Sequence, residues 1–213
     1  MSQTPDRRPG PLEEDEEIRF IANLTAPSQP GAFNWNGTTF IFSGDLSNSE
    51  GKVNGVRHYG NSSTDPSSPT PADGDVYYNT VLRMEMRYDG SRSKWLSVES
   101  QVFEFGRSGN TAANAYYRGT DAEPYSASSG RTAEWNGTVV GLGYTRSDSD
   151  SATFQVTSGG TTIASLASAA TSGRSNSLNG DFSQDAILGV RNAPGGNTTS
   201  GVLGWVRIKW RAT

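Results

Sequence analysis

The chain has 213 residues, of which 33% are hydrophobic, 10% aromatic and 19% charged, with 25 glycines, 10 prolines, one histidine and no cysteine. Leu, Ile and Met are thin beside Gly, Ser, Thr and Asn, which excludes a helical bundle. No run approaches the roughly 18–20 apolar residues of a membrane helix, and nothing near Met1 has the basic start and apolar stretch of a secretory signal. A net charge of −4 and a pI near 5.1 argue against a general nucleic-acid binder, which shows a basic stripe. Without thiols there is no disulfide framework, thiolate nucleophile or sulfur metal ligand. With one histidine, an enzyme would have to work with carboxylates alone.

Taken in chain order, residues 1–17 carry Pro5, Pro9 and Pro11 and then the acidic run Glu13, Glu14, Asp15, Glu16 and Glu17. Such a segment cannot bury enough apolar surface to offset its ordering entropy. It is expected to be an extended arm held by a partner, with Leu12, Ile18 and Phe20 as apolar anchors beside the five acids. The alternative is a solvated acidic segment. Phe33 and Trp35, then Asn36-Gly37, then residues 38–42 predict a small hairpin, because Asn-Gly suits the positive φ of a type I′ turn. Residues 60–74 have turn and linker composition, with prolines at 66, 69 and 71, and read as a spacer. Strands follow at 75–80, 82–88 and 94–98, the last two joined at Asp89-Gly90. Leu82, Met84, Met86 and Tyr88 alternate with Arg83, Glu85 and Arg87, so one face packs and the other is wet.

From about Gln101 onward the pattern predicts one antiparallel β module, with strands at 102–105, 113–118, 131–135, 138–146, 152–157, 161–166, 177–182, 186–192 and 202–210. Asn136-Gly137 is expected to turn a second hairpin, and residues 106–110 and 195–197 to be turns. In the last strand Val202, Gly204, Val206, Ile208 and Trp210 share one face, with Trp205, Arg207, Lys209 and Arg211 on the other. A module of this size with so little Leu, Ile and Phe would be marginal alone, so self-association is expected. The organisation predicted is an anchoring arm with a small β unit over 1–59, a linker over 60–74, a small β stalk element over 75–100 and a β-sandwich knob over 101–213.

The run Pro71-Ala72-Asp73-Gly74-Asp75-Val76-Tyr77-Tyr78-Asn79-Thr80, followed by Tyr88-Asp89-Gly90-Ser91 and Lys94-Trp95-Leu96, resembles a short β element of bacteriophage fibre proteins. This chain departs from the shortest form by an extra Arg92-Ser93. More loosely, residues 144–154, read as a hairpin, together with 186–192, 195–199 and 206–211 resemble the jelly-roll knobs that end phage head and tail fibres. The resemblance implies an all-β, homotrimeric virion protein assembled in the bacterial host cytoplasm and displayed on the virion surface. It would be a capsid decoration or head-fibre protein without enzymatic activity, bound through its arm to the major capsid or another virion protein. The alternative it implies is a tail-fibre protein that binds a host-surface glycan. A chain with its own Met is then expected to be a complete short fibre or a decoration protein on a capsid.

Other chemistry is weighed against plainer roles. Tyr116, Tyr117, Tyr125, Trp135 and Trp205 are candidates for a glycan-stacking face, or else core and interface anchors. Asp148, Asp150, Asp181 and Asp185 fall short of the six to eight oxygens that Ca²⁺ takes and read as turn residues, so no metal is expected. His58 has no triad partner at a recognised spacing and reads as a surface residue. The glycine-rich runs match no phosphate-binding fingerprint. No cofactor, catalytic residue, nucleic-acid partner or membrane insertion is expected.

Overall fold

The computed structural model describes residues 33–35, 40–42, 52, 53, 56–120 and 123–212. All described regular structure is β. The chain divides into two compact units, Met1–Gly55 and Val56–Thr213. In the first, β1 (Phe33–Trp35) and β2 (Phe40–Phe42) pair antiparallel, Phe33 opposite Phe42 and Trp35 opposite Phe40, and β3 covers Lys52–Val53. The expected hairpin is therefore present, while its Asn36-Gly37 turn lies outside the described residues. So do the anchoring candidates Leu12, Glu13, Glu14, Asp15, Glu16, Glu17, Ile18 and Phe20.

The second unit opens with a small sheet ordered β4 (Val56–Ser62), β5 (Val76–Asn79), β6 (Met84–Asp89) and β7 (Lys94–Ser97). The β4–β5 pair is parallel and the others antiparallel. The strand begins at Met84 rather than Leu82, and its alternation follows the prediction: Met86 is buried and Met84 and Tyr88 half-buried, while Glu85 and Arg87 are exposed. Trp95 is the centre of the packing, met edge-on by Tyr59, Tyr77 and Tyr88 at centroid distances of 5.5, 4.9 and 5.3 Å. Such T-shaped contacts suit the ring quadrupole.

Residues 60–74, expected as a spacer, instead run along this sheet. Proline-rich backbone leaves its carbonyls without intrasegment partners, and the small sheet supplies donors to them. Trp95 Nε1 donates to Pro66 O at 3.0 Å, Tyr59 Oη to Pro69 O at 2.6 Å and an Arg57 guanidinium nitrogen to Thr70 O at 3.0 Å. Buried Asp75 closes the loop by accepting from the Arg57 and Ala72 amides and pairing with the Arg57 guanidinium.

The remainder is a β-sandwich. One sheet is ordered β13 (Ser172–Ser175), β10 (Gly137–Thr145), β16 (Thr199–Trp210) and β8 (Gln101–Thr111), with β14 (Gly180–Phe182) also paired to β10. The other is ordered β12 (Thr161–Ser168), β11 (Ala152–Ser158), β15 (Ile187–Asn192) and β9 (Arg131–Thr132). Aromatic rings fill the space between them. Phe105, Tyr117, Tyr144 and Phe154 are buried and in mutual contact, Tyr144 stacking on Phe154 at 4.1 Å. The core thus relies on rings where the scarce Leu and Ile would otherwise serve.

Four local expectations are corrected. Asn136-Gly137 turns no hairpin, because β9 belongs to one sheet and β10 to the other. Asn136 instead spends its side-chain oxygen on the Gln184 amide at 2.9 Å, and Gly137 lies under the Phe182 ring. Residues 144–154 likewise join the two sheets rather than form a hairpin. Residues 106–110 lie within β8, paired with β16 across a register shift at 200–202. Residues 113–118 make bridges rather than a strand: Tyr116 pairs with Arg191 and Arg118 with Gly106, so the segment passes from one sheet to the other and closes that side of the sandwich.

The small sheet is sutured to the sandwich through the turn after Asp89 and through strand β7. Arg92 Nε donates to Leu178 O at 2.7 Å and its Nη2 to Asn176 O at 2.6 Å and Val140 O at 3.4 Å, while Nη1 pairs with Asp89. Lys94 pairs with Asp181 at 2.9 Å, and the Trp210 amide donates to Ser97 Oγ at 2.9 Å. Burial works to raise the pKa of Asp181. The bonds from Thr138 and Lys94, with the charges of Arg211 and Lys94, outweigh it and hold the carboxyl below its usual value. Asp89 is held low in the same way, burial being outweighed by Ser91 and Arg92.

Arg92→Ala is expected to cost about 1–3 kcal/mol, since the partly buried, charge-assisted bonds to these carbonyls vanish. Hydrogen exchange should then show 76–97 opening before 137–145 and 202–210; simultaneous opening would contradict the suture. Because both carboxyls titrate low in the folded state, their contribution is complete above the unfolded value near 4 and is lost as pH falls through the folded values. Acid melting curves should show a gentler loss of stability below about pH 4 for Asp181→Asn than for the parent.

Candidate functional site

The long strand β16 turns Val202, Val206, Ile208 and Trp210 into the core, as its alternation predicts, and leaves Leu203, Trp205, Arg207 and Lys209 on the outer surface of the large sheet. Cross-strand partners share a face, so the register assembles the site. Trp205 lies between Gly143 of β10 and Glu104 of β8, with Arg174 of β13 beyond Gly143. Arg207 lies between Gly141 and Val102.

With no side chain at Gly143, the Trp205 indole lies against the β10 backbone; a β-carbon there would stand 2.5 Å from the ring. The Arg207 guanidinium stacks 5.3 Å from the indole centroid, a cation–π arrangement. Glu104, Tyr144, Thr145, Arg174, Leu203 and Trp205 line an open groove of about 470 Å³ here. Val102 and Leu203 are exposed beside it.

Lys209 continues the same strand face into a second open groove of about 550 Å³, where the small sheet contributes Asp73, Arg87, Tyr88, Asp89 and Leu96. Burial lowers the Lys209 pKa, Asp89 opposes that shift, and Arg87, Arg92 and Arg207 add to it. The acids of this groove have other duties: Asp73 accepts from the Gly90 amide, and Asp89 serves Arg92 and Ser91. The face therefore combines an aromatic plate, cations and open access, which suits extended ligands better than an enclosed small molecule.

The five candidate glycan aromatics do not share a surface. Tyr117 is a core residue whose hydroxyl meets Thr199 Oγ1 at 2.8 Å, and burial pushes its pKa up to about 12. Trp135 packs edge-on against Trp210 at 5.4 Å and touches the cores of both the sandwich and the small sheet. Tyr116 and Tyr125 flank Gly189, and the Tyr125 hydroxyl donates to Glu104 O. Trp205 alone of the five lies on the open sheet face.

Two of the aspartates weighed as calcium ligands are engaged elsewhere. Asp148 pairs with Arg146 and accepts from the Ser200 amide, and Asp181 is taken by Lys94, Arg211 and Thr138. Among the described residues no group of three or more His, Cys, Asp or Glu is placed to hold a metal. His58 is exposed on β4. Sequence reasoning placed Trp205, Arg207 and Lys209 on one strand face but missed Arg87 and Arg174, which other strands bring there.

Gly143→Val should drive the indole off the β10 backbone and cost about 1–3 kcal/mol through overpacking. Against a Trp205→Phe control, the Trp205 contribution to fluorescence should shift to longer wavelength and become more accessible to acrylamide; unchanged emission would refute the packing. Compared with family models, curated proteins and solved structures, the chain finds no match.

Proposed function

We propose that the chain is a non-enzymatic structural protein of a tailed-bacteriophage particle. In this reading it is a homotrimeric capsid decoration or head-fibre protein, held to the capsid or another virion protein by its N-terminal arm and displaying its sandwich outward. The observation that carries the reading is the fit between motif and structure over residues 71–96. Several residues of the fibre-like motif build one aromatic element around Trp95. Asp75 closes the proline loop, and Asn79 Oδ1 accepts from the Val81 and Leu82 amides to turn the chain. Tyr77 and Tyr88 pack on Trp95. Tyr78, Val81 and Val98 stay exposed on this element and supply apolar surface for self-association.

Three arms on one trimer would engage neighbouring sites at high effective concentration, so that weak contacts add to firm attachment. The open face around Trp205 favours a second reading, a tail-fibre protein whose sandwich adheres to the host surface.

Light scattering should give three times the 22.7 kDa chain mass. Removing residues 1–24 should leave that folded assembly intact but abolish its co-sedimentation with particles; retention on particles would place the attachment elsewhere. Gold labelling of virions distinguishes the readings, the first requiring label on the head and the second label on the tail.

A further inference from the structure

Four cations gather on the outer face of the large sheet and its junction with the small one: Arg174, Arg207, Lys209 and Arg87. Among the described residues, none of the four side chains makes a hydrogen bond or ion pair; the other cations near the junction are committed, Arg92 to Asp89, and Lys94 and Arg211 to Asp181. Trp205, Arg207 and Lys209 stand at alternate positions of one strand, about 6.5 Å apart, so the row spans about 13 Å before Arg87 extends it. Cations left unpaired on a chain of net charge −4 point to an anion that supplies the missing partners.

The kind of anion follows from what lies between the cations. Glu104 stands beside Trp205, and Asp73 and Asp89 border the Lys209 groove. A polymer with a phosphate at every step would meet these carboxylates unfavourably. A polysaccharide bearing carboxylates at intervals has neutral hydroxyls between them, which can donate to Glu104. Its sugar rings present C–H faces to an indole edge or plate, and its carboxylates fit the guanidinium fork.

We infer that the face formed by Arg174, Trp205, Arg207, Lys209 and Arg87 binds an acidic polysaccharide along strand β16. The inference stands on this face and does not depend on the virion assignment, since a carbohydrate-binding protein with the same surface would behave alike.

Binding of the full chain to hyaluronate, with a carboxylate on every second sugar, is measured beside uncharged dextran and single-stranded oligo(dT). Hyaluronate should bind, weakening as salt rises from about 0.05 to 0.5 M, and dextran should not. Arg207→Gln combined with Lys209→Gln should weaken binding about tenfold or more without lowering the melting temperature, and Trp205→Ala should weaken it further. Absence of hyaluronate binding, equal binding in the double variant, or tighter binding of oligo(dT) would overturn the proposal. A failure here leaves particle co-sedimentation untouched, and loss of co-sedimentation leaves hyaluronate binding untouched.

Discussion

The guanidinium of Arg92 lies where the small sheet meets the sandwich, and its donors reach the carbonyls of Asn176, Leu178 and Val140. Asn176 and Leu178 belong to the connection between β13 and β14, outside any strand, so their carbonyls lack ladder partners. Partly buried acceptors such as those of Leu178 and Val140 are costly to leave without a donor. An arginine offers five N–H groups in a rigid fork and can serve several such acceptors while its charge is balanced, here by Asp89. Arg92, in the turn between β6 and β7, thus makes that hairpin a joint.

That joint has an electrostatic consequence. By fixing β6 against the end of β16 it brings Arg87 near Lys209 and Arg207. Like charges placed together oppose folding, and Asp89, the carboxylate acting on Lys209, is already occupied. The contrast with the neighbouring cluster is informative. Around Asp181, Lys94 and Arg211 bring two cations to one carboxylate, and the Thr138 hydroxyl adds a hydrogen bond. One end of the junction is therefore neutralised for stability, while the other keeps its positive charge open to solvent. Local rules of that kind are broken mainly where binding repays the cost.

How much of this could be read from the sequence depends on the range of the interaction. The alternation on β16 and β6 was legible because one buried face imposes a period of two on adjacent residues. The Asp89-Gly90 hairpin was legible for the same local reason. Asn136-Gly137 misleads because the dipeptide carries two separate uses, a tight turn and a close approach, and only the ring of Phe182 decides between them. The bridge segment around Tyr116 and Tyr117 has the composition of a strand but is divided between two sheets. Residues 60–74 read as a linker because composition cannot reveal that Arg57, Tyr59 and Trp95 would donate to their carbonyls. Of the site, one strand's worth was visible: Trp205, Arg207 and Lys209. Arg174 and Arg87 join them through register and through the Arg92 joint, neither of which has a short-range signature.

Net charge gives a further case of an average hiding a pattern. A pI near 5.1 weighs against polyanions as partners only if charge is spread evenly, since fields at the surface are screened within roughly 8 Å at physiological salt. Five of the chain's acids lie in the single run from Glu13 to Glu17, and several others are spent internally on Arg57, Arg92, Arg146 and Lys94. Subtracting committed charges, rather than summing all of them, leaves a face whose local sign is opposite to that of the whole chain. At this screening length a ligand lying along β16 responds to that face rather than to the net charge of the whole chain.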